Sequence, residues 1–229
     1  MNNLKRYGTE YGGFYLPINL DLHKDSIVYC FGAGEDISFD VDISSKYNCI
    51  VHVFDPTPRA IEHVKSVIQN KPPSSNLHRY GGNDTTYMER VYNKKCSIKL
   101  YEYGVHVKDD NIIFYFPSNS EYVSLTSCDE LRQADNSISL EVKSIRTIMK
   151  DLQHNTIDLL KLDIEGVECE VLIDLFENLK IFPKYVCVDF DARRANKKIE
   201  LFENVCKLLK LNGYKLLINR NYDISFEKV

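Results

Sequence analysis

Apolar residues in this chain fall into two kinds of pattern. Ile27 to Phe31, Ile50 to Phe54, Ile157 to Leu162 and Tyr185 to Phe190 are nearly continuous runs of strand length, as expected for strands of a parallel sheet covered on both faces. Other segments carry one apolar face at helical spacing. Ala60 to Gln69 places Ile61, Val64, Val67 and Ile68 on one side, with Thr57 as N-cap and Pro58 at the first helical position. Ser144 to Leu152, Cys169 to Phe176 and Lys198 to Leu211 also read as helices, the last stopped by Gly213. Ile37, Phe39, Val41 and Ile43 alternate, but their place between two buried strands predicts a short helix led by Glu35 and Asp36.

Ile98 to Val105 and Ile112 to Phe116 are further strands flanking a turn at Asp109-Asp110-Asn111, either as a hairpin or as one strand with an excursion. Ile138 to Val142 is a short strand. Tyr214 to Ile218 and Tyr222 to Phe226 form a terminal hairpin around Asn219-Arg220-Asn221. Residues 70–93 read as a polar loop with some helix near Thr86 to Tyr92, and Tyr122 to Arg132 has no clear pattern. Strands alternating with helices, then two adjacent strands, predict one α/β domain with a mostly parallel sheet and helices on both faces.

The 229 residues suit a single domain: residues 1–24 as an aromatic, glycine-containing cap and 25–229 as the core. With 29 Lys plus Arg against 33 Asp plus Glu, the charge argues against a dedicated nucleic-acid binder. There is no apolar stretch long enough for a membrane span and no signal-peptide pattern after Met1, so membrane insertion is not expected and a cytoplasmic setting is. Seven scattered Cys with no CxxC fit core thiols in a reducing compartment.

Ligands of open parallel sheets bind at the carboxyl ends of strands. That rule selects Gly32 to Asp36, Asp55, Gly104 to His106, Asp163 to Glu165, and Asp189 to Asp191. The first is GxGxD rather than GxGxxG, because Ile37 stands where the third glycine would be. An acid beside the turn would repel a pyrophosphate and suit a positive centre. Asp55 can accept hydrogen bonds from a ribose diol. S-adenosylmethionine, with a sulfonium, an amino-acid tail and no phosphate, fits better than a nicotinamide dinucleotide, with Glu35 or Asp36 holding its ammonium. Oxygen ligands at these strand ends, including Asp189 and Asp191, would suit Mg²⁺, but no spacing establishes a metal site and none is assigned.

The pieces YGTEYGGFYLP, CFGAGED, VFDPTPRA, YEYGV and LLKLDIEGVECEVL resemble the FkbM-type S-adenosylmethionine-dependent methyltransferases, from about Tyr7 to the C-terminus. The most specific pieces are VFDPTP and KLDIEGVE. CFGAGED departs from the family's usual DVGANxG, and Asp55 replaces the usual Glu of FEPxP. The resemblance implies a Rossmann-like class I methyltransferase fold with a seven-stranded, mostly parallel sheet and a C-terminal antiparallel hairpin. It also implies S-adenosylmethionine as cofactor, contacting Gly32, Ala33, Gly34, Glu35, Asp36, Asp55, Pro56, Thr57, Gly104, Val105 and Asp163.

The reaction that the resemblance implies is methyl transfer by direct displacement, to a hydroxyl of a sugar, glycan precursor or related small metabolite. Asp163 is the first candidate for the base, Glu165 the second, and His106 the third. Tyr11 and Tyr15 could line the acceptor pocket. The competing readings are a nicotinamide-dependent oxidoreductase with an unusual loop and a non-catalytic α/β ligand-binding module. The oligomeric state is not legible.

Overall fold

The apolar run Val28–Phe31 forms β3 at the centre of the molecule, every residue of it buried. In the computed structural model it is flanked in parallel by β4 (Ile50–Phe54) and β9 (Leu159–Leu162). β5 (Ser97–Tyr101) extends the parallel set beyond β4, and β10 (Tyr185–Asp189) extends it beyond β9. β12 (Asp223–Lys228) then joins β10 antiparallel, and β11 (Tyr214–Arg220) closes the edge. The resulting seven-stranded order is β5-β4-β3-β9-β10-β12-β11. The structure describes residues 4–72, 85–119, 124–128, 131–133, 135–191, 198–220 and 222–229, without the side chains of 85 and 86. Most of the polar loop after residue 70, part of the Tyr122 to Arg132 stretch, and Asn221 therefore lie outside the described residues.

Strand residues alternate between two cores, one on each face of the sheet, as the two-residue period of a strand requires. Val28, Cys30, Val51, Val53 and Leu159 face a core built with α1 (Ser38–Tyr47), α2 (Pro58–Ile68) and α3 (Thr85–Val91). Tyr29, Phe31, Phe54, Leu160 and Leu162 face the other core. That second core is built with α4 (Ile145–Leu152), α5 (Glu168–Ile173) and α6 (Ile199–Leu211). The expected sheet, with helices on both faces and a terminal hairpin, is therefore present.

Several local expectations change. Residues 98–105 are not one strand. β5 ends at Tyr101, and Gly104–His106 (β6) joins a separate three-stranded sheet with β7 (Asp110–Tyr115) and β8 (Ser137–Ser144). β7 pairs with β8, so no hairpin forms across Asp109 to Asn111. The helix expected at Glu35 begins at Ser38. Its alternating apolar residues are all buried because the N-terminal strands and α3 cover the flanks that a surface helix would leave polar. Thr57 is the N-cap residue of α2, but its hydroxyl makes no cap bond because it donates to Asp55 instead. The helix at 169–176 ends at Ile173 and continues as a π-helical turn over Asp174–Leu179.

The N-terminal segment is more regular than expected. β1 (Leu4–Tyr7) and β2 (Phe14–Pro17) pair antiparallel, and their connection, Gly8 to Gly13, packs on the start of α1. Gly8 N–H donates to Asp42 at 2.9 Å and Thr9 N–H to Ser38 Oγ at 2.7 Å. None of the seven cysteines is in a disulfide; Cys96 and Cys206 are half-buried and the rest are buried.

Candidate cofactor and active site

β3, β4 and β9 end on the same side of the sheet, and each end carries a different chemical piece. After β3 the chain turns through Gly32, Ala33 and Gly34. Gly32 has φ +85°, and a Cβ there would overlap the Asp163 carbonyl oxygen, so only glycine lets this turn lie against the end of β9. After β4 comes Asp55, 5% exposed. Its Oδ2 accepts the N–H groups of Ala33 at 2.8 Å and Gly34 at 3.2 Å. Its Oδ1 accepts the Thr57 N–H at 2.8 Å and the Thr57 hydroxyl at 2.6 Å. Four protein donors thus occupy the acceptor sites of one carboxylate, and Asp55 fixes the shape of the glycine turn.

After β9 the chain runs through Asp163, Ile164, Glu165 and Gly166. Glu165 holds the left-handed conformation at φ +59°, and the Thr126 hydroxyl donates to its carbonyl at 2.6 Å. Strained backbone of this kind persists only where surroundings impose it. Asp163 does not cap α5, whose N-cap is Val167 with no side-chain bond.

These ends open on a cavity of about 440 Å³. One wall holds Gly32, Ala33, Gly34, Asp36, Asp55, Pro56, Thr57, Gly104, Val105, Asp163 and Glu165 of the residues singled out from the sequence. Further lining comes from the end of β7, with Phe114 and Tyr115, and from the excursion that leads to β8, with Phe116, Pro117, Leu125 and Leu131, Ser and Thr hydroxyls at 124, 126 and 127 and the amide of Gln133. The tip of the N-terminal hairpin adds Tyr11 and Gly12. The Tyr11 phenol is pushed up by desolvation and by the carboxylates of Asp163, Glu165, Asp36 and Asp189.

Three residues expected at the site do not line the cavity. Glu35 does not line the cavity; its carboxylate meets Arg59 at 2.8 Å. His106 does not line it either. Burial holds its imidazole below the usual range, with Glu170 among its charged neighbours. Tyr15 is likewise absent from the lining and lies under the guanidinium of Arg6, 4.8 Å from the ring centre. Asp36 does face the cavity. It accepts the Ser38 N–H at 2.9 Å and a hydrogen bond from the Thr9 hydroxyl, and Thr9 in turn accepts the N–H groups of Tyr11 and Gly12.

Carboxylates converge at this end of the sheet. Asp163, Asp189 and Asp191 each bring one oxygen within 4.8 Å of the other two, a set that could hold a hard cation, and Asp223 lines the cavity nearby. No Lys, Arg or His lines the cavity among the described residues. Such a lining suits a ligand that carries positive charge and no phosphate. Phe54, Val105 and Ile164 supply apolar surface beside it, so the residues present fit S-adenosylmethionine.

The sequence reading passed over Lys161. It lies inside the run LLKL and is 1% exposed, and its ammonium donates to the Gly32 carbonyl at 2.6 Å and lies 3.6 Å from Asp163 Oδ2. The available signal was the charge itself, since a lysine in a strand buried on both faces must have partners. The aromatic wall was missed because Phe114 to Phe116 read only as the end of a strand, and Leu125 and Leu131 join them at the cavity only through the excursion.

Residues 26–216 match the family model described as the methyltransferase FkbM domain. No curated protein matches the chain. Among solved structures, the chain is similar to methyltransferase FkbM from Methylobacillus flagellatus KT, with a TM-score of 0.50 and 13% identity over 91% of this chain. The chain spans 44% of that protein's length. It is also similar to a Methanococcus jannaschii fibrillarin pre-rRNA processing protein, with a TM-score of 0.45 and 13% identity over 98% of this chain and 69% of that one.

Proposed function

We propose, from the premise that this chain belongs to the FkbM methyltransferase family, that it carries a methyl group from S-adenosylmethionine to a hydroxyl oxygen of a sugar, a glycan precursor or a related small metabolite. As a member of that family it is a methyltransferase, which sets aside the nicotinamide oxidoreductase and the non-catalytic module. The observation that carries the finer reading is the shared cavity. The glycine turn and strand-end carboxylates line it together with an aromatic, hydroxyl-bearing segment.

S-adenosylmethionine supplies the methyl group on a cationic sulfur. The chain's own residues divide the remaining tasks. The Gly32–Gly34 turn would hold the amino-acid tail close to backbone, and Asp36 would offer a carboxylate to its ammonium. A ribose diol reaching Asp55 would take the place of the Thr57 hydroxyl, which holds the same Oδ1. Pro56, Gly104 and Val105, which also line the cavity, would hold the adenine.

Asp163 lines the cavity and is one-third exposed, which supports its role as the general base, since a base must be within hydrogen-bond reach of the acceptor hydroxyl. Glu165, fixed in its conformation by Thr126, orients the same acceptor. Phe114, Tyr115 and Phe116 offer faces for the apolar side of a sugar ring. Holding acceptor and donor in line supplies much of the rate.

Titration calorimetry with S-adenosylmethionine and S-adenosylhomocysteine tests the cofactor, and failure to bind either would remove it. Transfer of labelled methyl to a panel of free sugars, nucleotide sugars and glycan fragments tests the acceptor. Label appearing on amines and on none of the hydroxyl compounds would overturn oxygen as the accepting atom.

A further inference from the structure

Lys161 lies in the middle of the central sheet, paired in register with Cys30 on one side and Cys187 on the other. A cation so placed is tolerated only with counter-charges and hydrogen-bond acceptors around it. Here they are the Gly32 carbonyl and the Asp163 carboxylate, with a longer-range electrostatic contribution from Asp40 of α1, which is wholly buried and whose own carboxyl is pushed up by that burial against the pull of Lys161. Burial draws the ammonium down, but Asp163 and Asp40 more than offset it, with Asp36 adding to the effect. Lys161 therefore stays charged, directly beneath the glycine turn and beside the acid that ends β9, both of which face the cavity.

We propose that Lys161 is a positioning residue whose buried charge balances the strand-end carboxylates and so sets how strongly the site prefers cationic S-adenosylmethionine over neutral S-adenosylhomocysteine. The inference rests on the cofactor reading above. Methyl transfer removes one positive charge from sulfur while leaving the rest of the cofactor intact. A cavity lined by uncompensated carboxylates would hold the cationic reactant far more tightly than the neutral product. Ground-state binding of that kind lowers KM without accelerating the chemical step. Lys161 moderates that preference and, through the same ammonium, fixes the position of the Gly32 carbonyl and Asp163.

The test measures the ratio Kd(S-adenosylhomocysteine)/Kd(S-adenosylmethionine) by calorimetry in the wild type, Lys161→Met and Asp163→Asn. The two ligands share the adenosine and the amino-acid tail, so a merely structural lesion weakens both alike and leaves the ratio unmoved. Loss of the lysine charge is expected to raise the ratio at least threefold, and loss of the aspartate charge to lower it at least threefold. Smaller shifts overturn the proposal. Should Lys161→Met fail to fold, because Asp40 is then buried without its cation, the same substitution made in an Asp40→Asn background, compared with Asp40→Asn alone, decides by the same threshold. A wild-type protein that binds neither ligand strikes the cofactor reading instead.

Discussion

The Asp55 carboxylate accepts the Ala33 N–H at 2.8 Å across a gap of 22 residues in sequence. That bond, with its partner from Gly34, makes the end of β4 the template for the turn after β3. Asp55→Ala strands the buried N–H of Ala33 and the half-buried N–H of Thr57, which costs about 3 kcal/mol when a charged acceptor is lost. Asp55→Asn keeps one oxygen acceptor and is expected to lose less. Denaturant melts should rank wild type above Asn above Ala, and calorimetry should show S-adenosylhomocysteine affinity falling at least tenfold in the alanine variant. Unchanged affinity with a large stability loss would confine Asp55 to architecture.

Gly32 allows a second, sharper contrast. A Cβ at Gly32 meets backbone of Asp163, while one at Gly104 meets the Pro56 Cγ at 3.2 Å, a side-chain atom with some freedom to move. Gly32→Ala is therefore expected to be insoluble or to bind no S-adenosylhomocysteine. Gly104→Ala should fold and retain binding within about tenfold, a loss of the size that a modest overpacking strain produces. Soluble yield and calorimetry on the pair decide it, and equal behaviour of the two would refute the close approach at Gly32.

How much of this was legible in the sequence differs by residue. Buried parallel strands announce themselves because they are apolar on both faces, so β3, β4, β9 and β10 stood out. The change of sheet between Tyr101 and Gly104 did not, because YEYGV stays apolar enough to read as one strand while the chain leaves β5 for β6. Glu35 and Asp36 look equivalent in sequence. Only the fold reveals that Arg59 of α2 holds Glu35 away from the cavity while Thr9 and Ser38 hold Asp36 at its edge. Side chains whose meaning depends on a partner far along the chain carry no local signal.

The N-terminal hairpin lies before the matched family segment, yet its tip touches the site. A Cβ on Gly12 would come within 2.8 Å of the Asp36 Cγ. Gly12→Ala and Thr9→Val should therefore disturb Asp36 without unfolding the core, since the tip packs on the edge of the molecule. Expected are a Tm loss of less than about 3 °C and a several-fold weaker Kd for S-adenosylhomocysteine. A Kd identical to wild type in both variants would show that the tip plays no part in holding the cofactor.

Glu168 gives the fold a pH dependence of definite sign. It is wholly buried at the start of α5, accepts the Gly166 N–H at 2.7 Å, and has its carboxyl pushed up to about 8 by burial, against the opposing pull of that bond. The folded state thus keeps a proton that the unfolded chain gives up near pH 4.5. Between these values the native state binds more protons, so stability falls as pH rises and levels off above about 8. His52, lowered to about 4 by burial and by His154, works the other way on the acid side, where stability is lost as pH falls from 6.5 toward 4. Glu168→Gln removes the first dependence while keeping an acceptor for Gly166. The variant's Tm advantage over wild type should be small at pH 5, grow through pH 7 and be greatest at pH 9. An advantage that does not vary with pH would mean that Glu168 is already ionised in the folded protein.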